Sequence, residues 1–235
     1  MSTGATNTNV QNQGPSAPVR SIFVGDYAAA DEGSYFTTWL GATAVSASAV
    51  TTQALGTSLP QIVINNINPN TGYNVYLRSI KLRLTTAVTG ITSVYHVGVL
   101  NPNPATITTA GTAMNGPTNV NSNSGTTSRI ACTAGAHAVT TQASVPGSRI
   151  VHTGPVTSII PIVLDQYHFE FGNAGGGNTF GTVLGTTTSF ISVSCPPVII
   201  APGWIYTFGL WGPSWQAAAA AYTFDVAFIE RPAGQ

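Results

Sequence analysis

Across all 235 residues, apolar side chains never recur at helical spacing for as many as ten positions; where they recur, they do so at every second position. A chain patterned this way can bury one face of a strand but not one face of a helix, so its core must be built from sheets. Period-two stretches fall at residues 21–24, 35–40, 61–64, 73–86, 91–100, 148–152, 156–164, 166–171, 180–184 and 188–194, separated by Gly, Pro, Asn, Thr and Ser. Two more close the chain. Trp204, Tyr206, Phe208 and Leu210 alternate along one, and Tyr222, Phe224, Val226 and Phe228 along the next. Read as neighbours, these two form an antiparallel hairpin joined through Pro213, Trp215 and a short alanine run. So many short strands predict an all-β fold: an antiparallel β-sandwich, jelly-roll-like, with long loops and an extended N-terminal arm. Residues 1–19 form the arm and residues 20–235 a single domain.

The stretch Tyr73–Thr86 carries the most detail. Tyr76, Ile80, Leu82 and Leu84 share one side, while Ser79, Lys81 and Arg83 share the other. Val75 and Leu77 fall on that polar side, so either the first half is covered on both faces or a bulge shifts the phase. In the next strand Ile91, Tyr95, Val97 and Val99 are in phase. Residues 101–128 turn to Asn, Pro, Thr and Gly with almost no apolar pattern. A loop that long is functional or is ordered by a partner. The glycine-rich residues 172–178 read as a flexible loop.

What covers the outside of such a sandwich is unusual. Only 7 Lys+Arg and 7 Asp+Glu are present, 6% of the chain, with a formal net charge of zero. A typical soluble domain carries about 25% charged residues. With 43% hydrophobic residues the chain is not disordered. A near-neutral surface favours association over free diffusion, which suits a component of an assembly. Residues 1–19 hold no Lys or Arg, so the basic arm that offsets packaged phosphate is missing, and no nucleic-acid binding is expected. No apolar run approaches a membrane span, and residues 1–13 lack the pattern of a signal peptide, so membrane insertion and signal-directed secretion are not expected either.

Reactive side chains form no recognisable chemical motif. Cys132 and Cys195 have no CxxC partners and read as two buried thiols, with one disulfide as the alternative. His96, His137, His152 and His168 form no H-x-H or HExxH pair, so a metal site would require them to converge by folding. His168 alternates with Gln166 and Glu170 on the polar face of a strand. Asp165 and Glu170, five apart, point to opposite faces and cannot act as a carboxylate pair. No Gly-x-Ser-x-Gly elbow or phosphate-binding glycine pattern occurs. Asp26, Asp31 and Glu32 form an acidic cluster with a calcium site as its one functional reading; Arg78, Lys81 and Arg83 form a basic one that suits a solvated face. No catalytic residue, metal or cofactor is expected. Among Trp39, Trp204, Trp211 and Trp215, the first candidates for a contact surface are Trp211 and Trp215, which bracket a turn.

The run from Cys195 to Arg231 includes Pro196-Pro197, Pro202-Gly203-Trp204, Leu210-Trp211-Gly212-Pro213 and a final Tyr222-to-Phe228 strand ending in Glu230-Arg231. It resembles the C-terminal strands of virion structural β-sandwich proteins of tailed bacteriophages, in which a Pro-Gly turn feeds an aromatic strand. The resemblance implies a non-enzymatic particle component of the capsid, capsid-decoration, head-fibre or appendage type. It would be made in the host cytoplasm, form a homo-oligomer (a trimer favoured) on the particle exterior, and contact other virion structural proteins. The alternative is a carbohydrate-binding or adhesin module that stacks sugars on its aromatic residues. An extracellular β-sandwich hydrolase is the third reading.

Overall fold

The computed structural model describes residues 25–47, 61–66, 70, 72–86, 94–102, 106–109, 111–135, 137–140, 147–157, 162–172, 179–182, 189–212 and 220–233. The arm at 1–19, the strand expected at 21–24, most of the glycine-rich loop and Trp215 lie outside these residues. In chain order the elements are a short helix α1 (Gly25–Asp31), then β1 (Tyr35–Ala47), β2 (Ile62–Asn66), β3 (Tyr73–Thr86), β4 (Val94–Pro102), β5 (Thr106–Thr109), β6 (Thr112–Ala113), β7 (Thr118–Asn119) and β8 (Ala131–Ala134). There follow β9 (Ala138–Thr140), β10 (Arg149–Thr157), β11 (Gln166–Phe171), β12 (Thr179–Thr182), β13 (Ser189–Cys195), β14 (Ile199–Ile200), β15 (Trp204–Trp211) and β16 (Ala220–Pro232).

Two sheets face each other. The first runs β12-β13-β11-β3-β16-β1-β7, with β14 also on β3; the second runs β10-β4-β15-β2-β8-β6, and β5 pairs with β9 apart from both. The architecture is an all-β sandwich. It departs from a purely antiparallel one at a single described pair, β11 with β13, which is parallel. One continuous core fills the gap between the sheets. The first sheet supplies Phe36, Ile80, Leu82, Tyr167, Phe169, Ile191, Phe224 and Val226; the second supplies Ile62, Ile64, Leu100, Tyr206, Phe208 and Leu210. Each such side chain contributes about 1.5–3 kcal/mol on burial, which is the dominant favourable term in a chain with so few ion pairs.

The phase change in β3 is a bulge. Ala227 of β16 pairs with Ser79 and Phe228 with Leu77, so Arg78 has no partner in the register. Val75 and Leu77 before it are buried, as are Ile80, Leu82 and Leu84 after it. Tyr76, expected on the inner side, is only half-buried because the bulge lies between it and the residues it was grouped with. In β4 the inner phase also differs from the expected one. Val94, His96, Gly98 and Leu100 face the core, while Val97 and Val99 are buried on the outer side, and Ile91 lies outside the described residues. A strand covered on both faces carries no polarity signal to set its phase.

The last two strands are not a hairpin. β15 pairs with β2 and β4 in the second sheet, whereas β16 pairs with β1 and β3 in the first. Their alternating residues meet across the core instead of along an edge. Of the strand expected at 156–164, Val156 and Thr157 belong to β10 and residues 158–161 lie outside the described residues. Residues 162–165 form a turn with Leu164 at φ 80°, closed by the Ile162 N–H on the Asp165 carboxylate at 2.8 Å and the Leu164 N–H on the Leu84 carbonyl at 2.8 Å.

The long Asn-rich loop is ordered by its own chain. Phe36 and Thr37 of β1 pair with Asn119 and Thr118 of β7. The Asn119 amide donates to the Gly33 carbonyl at 2.7 Å, and the Asn115 N–H donates to the Trp39 carbonyl at 3.1 Å. Asn119 and Asn121 each accept, at 2.9 Å, the N–H two residues on, which is the Asn-turn chemistry that makes such a segment rich in asparagine. Buried Glu230 fixes the far end of the loop. It accepts from the Ser128 hydroxyl and from the Arg129 N–H at 3.2 and 3.3 Å, while the Arg129 guanidinium lies 3.9 Å over the Tyr73 ring.

Candidate functional site

The outer face of the first sheet gathers polar, charged and aromatic groups in rows. Trp39, Asp225, Lys81, His168 and Ser192 lie side by side across β1, β16, β3, β11 and β13; Thr223, Arg83, Gln166 and Phe190 form the neighbouring row. Strand alternation dictates this, because the next residue of each strand points into the core. Trp39 is 49% exposed and Phe190 38%. Lys81, Arg83, Gln166, His168, Phe190, Thr223 and Asp225 line a shallow open recess of about 130 Å³. His168 Nδ1 stands 3.3 Å from the Glu170 carboxylate, and burial outweighs that neighbour and holds the imidazole pKa below its ordinary value. The polar face expected for His168, Gln166 and Glu170 is therefore present, and it is part of a larger surface.

The two charge clusters resolve into ion pairs. Arg78, at the bulge, meets Asp26 at 2.8 Å, and Arg231 meets Glu32 at 2.9 Å, so α1 is tied to β3 and the residue that follows α1 to β16. Two of the three acidic residues thus address different arginines instead of converging as calcium ligands would. Lys81 and Arg83 alone share a face, the solvated reading of the basic cluster. Trp211 stacks on Tyr95 with centroids 4.6 Å apart on the outer side of the second sheet, so much of its ring is spent on its own chain. Trp204 is partly buried against the core.

A second constellation lies inside. His96 and His152 occupy the adjacent strands β4 and β10, each opposite a glycine: His152 opposite Gly98, His96 opposite Gly154. The two rings meet diagonally in the space those glycines leave, Nδ1 to Nδ1 at 3.0 Å with centroids 5.1 Å apart. His152 Nε2 reaches the Tyr206 hydroxyl at 2.6 Å, and its Nδ1 is 3.9 Å from Cys195 Sγ of the facing sheet. Phe169, Phe171 and Phe208 surround the pair. Desolvation drives both imidazole pKa values well below the ordinary value, His152 further because His96 adds to it, and pushes the Cys195 thiol up to about 12. All of these groups are neutral at pH 7, and Cys195 is no nucleophile there.

Sequence spacing did not foresee this convergence. The cross-strand register that joins His96 to His152 and the sheet packing that adds Cys195 are both non-local. The local signal was a glycine two residues after each histidine, at Gly98 and Gly154. His137 is elsewhere, its Nε2 2.7 Å from the Thr133 hydroxyl. Cys132 and Cys195 are both free and buried, as the two-thiol reading expected. No protein-family model and no curated protein sequence matches this chain.

Proposed function

We propose that this chain is a non-enzymatic structural subunit of a virus particle, assembling as a homo-oligomer, a trimer in the simplest case, on the particle exterior with other virion proteins. The observation that carries the reading is the character of the outside: large apolar side chains set in a nearly uncharged surface. Tyr27 is 70% exposed, Trp39 49%, Ile199 48% and Ile150 45%. Apolar groups that charge does not keep solvated are covered most simply by neighbouring subunits. The likeness of residues 195–231 to phage virion sandwiches supports the same reading. In that segment Glu230 and Arg231 hold the long loop and the turn after α1 in place, the work of a scaffold strand.

Electron microscopy of particles from the native source, with antibody against this chain, tests the proposal. Regularly spaced label on the particle exterior is expected. Label absent from particles, with the chain recovered only as free monomer, overturns it.

A second reading, a carbohydrate-binding module, has one specific observation in its favour: Trp39 and Phe190 flank hydrogen-bonding groups on an open sheet face. Glycan-array binding by the isolated chain, abolished in Trp39→Ala, would favour it over the first.

A further inference from the structure

We propose that His96, His152 and Cys195 form a binding site for one transition-metal ion of borderline softness, zinc or copper, which fastens the edge of the second sheet to the first. Two imidazoles and a thiolate are a donor set suited to these ions, and too soft for calcium or magnesium. The geometry is close to what one ion requires. Metal–nitrogen bonds of about 2.0–2.1 Å and a metal–sulfur bond of about 2.3 Å place the nitrogens about 3.3 Å apart and nitrogen to sulfur about 3.6 Å. Here the two Nδ1 atoms are 3.0 Å apart and Cys195 Sγ is 3.9 Å from His152 Nδ1. All three donor atoms lie within 4.8 Å of one another. The two distances to His152 need shifts of a few tenths of an ångström, and the wider His96–Cys195 gap must close by about an ångström for all three to reach one ion.

Two further features fit a ligand role. The nitrogen of His152 turned away from the cluster meets Tyr206, so Nε2–H would donate to the phenol oxygen and leave Nδ1 for the ion, the outer-partner arrangement that orients a metal-bound histidine. The cluster also lies where the two sheets meet at a margin: among the described residues β10 is the edge strand of its sheet, and it touches β13, which carries Cys195, across the gap. Binding would release the thiol proton to solvent as the sulfur–metal bond forms. Three protein donors satisfy a trigonal copper site, or leave a fourth position for solvent on zinc.

The full chain, reduced, stripped with chelator and desalted without oxygen to remove both reagents, is titrated with Zn2+, with Co2+ as a spectroscopic stand-in for zinc, and with Cu2+. One equivalent of Zn2+ or Co2+ per chain, a thiolate-to-cobalt charge-transfer band and a raised melting temperature are expected. Binding of Cu2+ alone, with a thiolate-to-copper band, supports the site and assigns the ion. Cys195→Ser should abolish the band, Cys132→Ser should retain it, and Tyr206→Phe should weaken affinity about 10- to 100-fold while keeping the stoichiometry. If the folded wild-type chain shows neither stoichiometric binding nor a charge-transfer band with any of the three ions, the cluster is a hydrogen-bonded core and the proposal fails. A band that survives in folded Cys195→Ser overturns it equally.

Discussion

Gly98 lies directly opposite His152 in the β4–β10 ladder, and a methyl group built on Gly98 would overlap the His152 ring. The companion relationship is looser: a methyl on Gly154 would stand 3.3 Å from His96 Nε2. Gly98→Ala should therefore force the His152 ring off Tyr206 and cost about 1–3 kcal/mol by overpacking. Gly154→Ala should cost less than half as much. Urea denaturation of both variants checks the order; equal costs would mean that β10 yields freely at this edge.

Phe224 is 2% exposed and pairs with Leu82 in the centre of the first sheet, whereas its neighbour Thr223 points to the open recess. Phe224→Ala should lose about 3–5 kcal/mol, and Thr223→Ala should stay within about 0.5 kcal/mol of wild type. A Phe224→Ala midpoint within error of wild type would contradict the assigned strand phase.

Glu230 gives a pH signature of unusual sign. Burial raises its carboxyl pKa above the ordinary value, opposed by the Ser128 hydroxyl, the Arg129 N–H and the Arg129 guanidinium, while the buried Cys132 thiol is nearby and uncharged. The folded chain thus holds this proton more tightly than the unfolded chain. Its contribution to stability is present below the unfolded carboxyl pKa and is lost as pH rises through the folded one. Glu230→Gln, which is neutral throughout, should gain on wild type as pH rises above the ordinary carboxyl pKa. Parallel stability–pH curves for the two proteins, or a variant that falls behind as pH rises, would reverse the assignment.

How far the fold was legible depended on whether the deciding interaction was local. Gln166–Phe171 was readable to the residue because solvent wets one side of it, whereas in Tyr73–Thr86 the misplaced Val75 and Leu77 signalled a change without deciding between cover on both faces and a bulge, and Tyr76 was put on the wrong side. Alternation reports which face is buried and not which strand lies beside it, so β15 and β16 looked like partners although they belong to opposite sheets. The Asn-rich loop was opaque for a similar reason: its partners on β1 and just before it lie about 80 residues away in the chain, as in Asn115 to Trp39 and Asn119 to Gly33. The same non-locality hid the approach of His96, His152 and Cys195.

Nucleic-acid binding should be absent. Lys81 and Arg83 share their face with Asp225 and Glu170, so the exposed basic pair carries little net field. Fluorescence anisotropy with duplex DNA at physiological salt should show no binding. A salt-sensitive complex with a slope of several phosphates would contradict this.

The central claim is that this surface is built to be covered by copies of itself. Sedimentation velocity of the full chain over a micromolar concentration series tests it most directly. The account predicts one discrete symmetric oligomer, with a trimer as the simplest case, and a shift toward monomer in a folded Trp39→Lys variant. A single monomeric species at every concentration would contradict it.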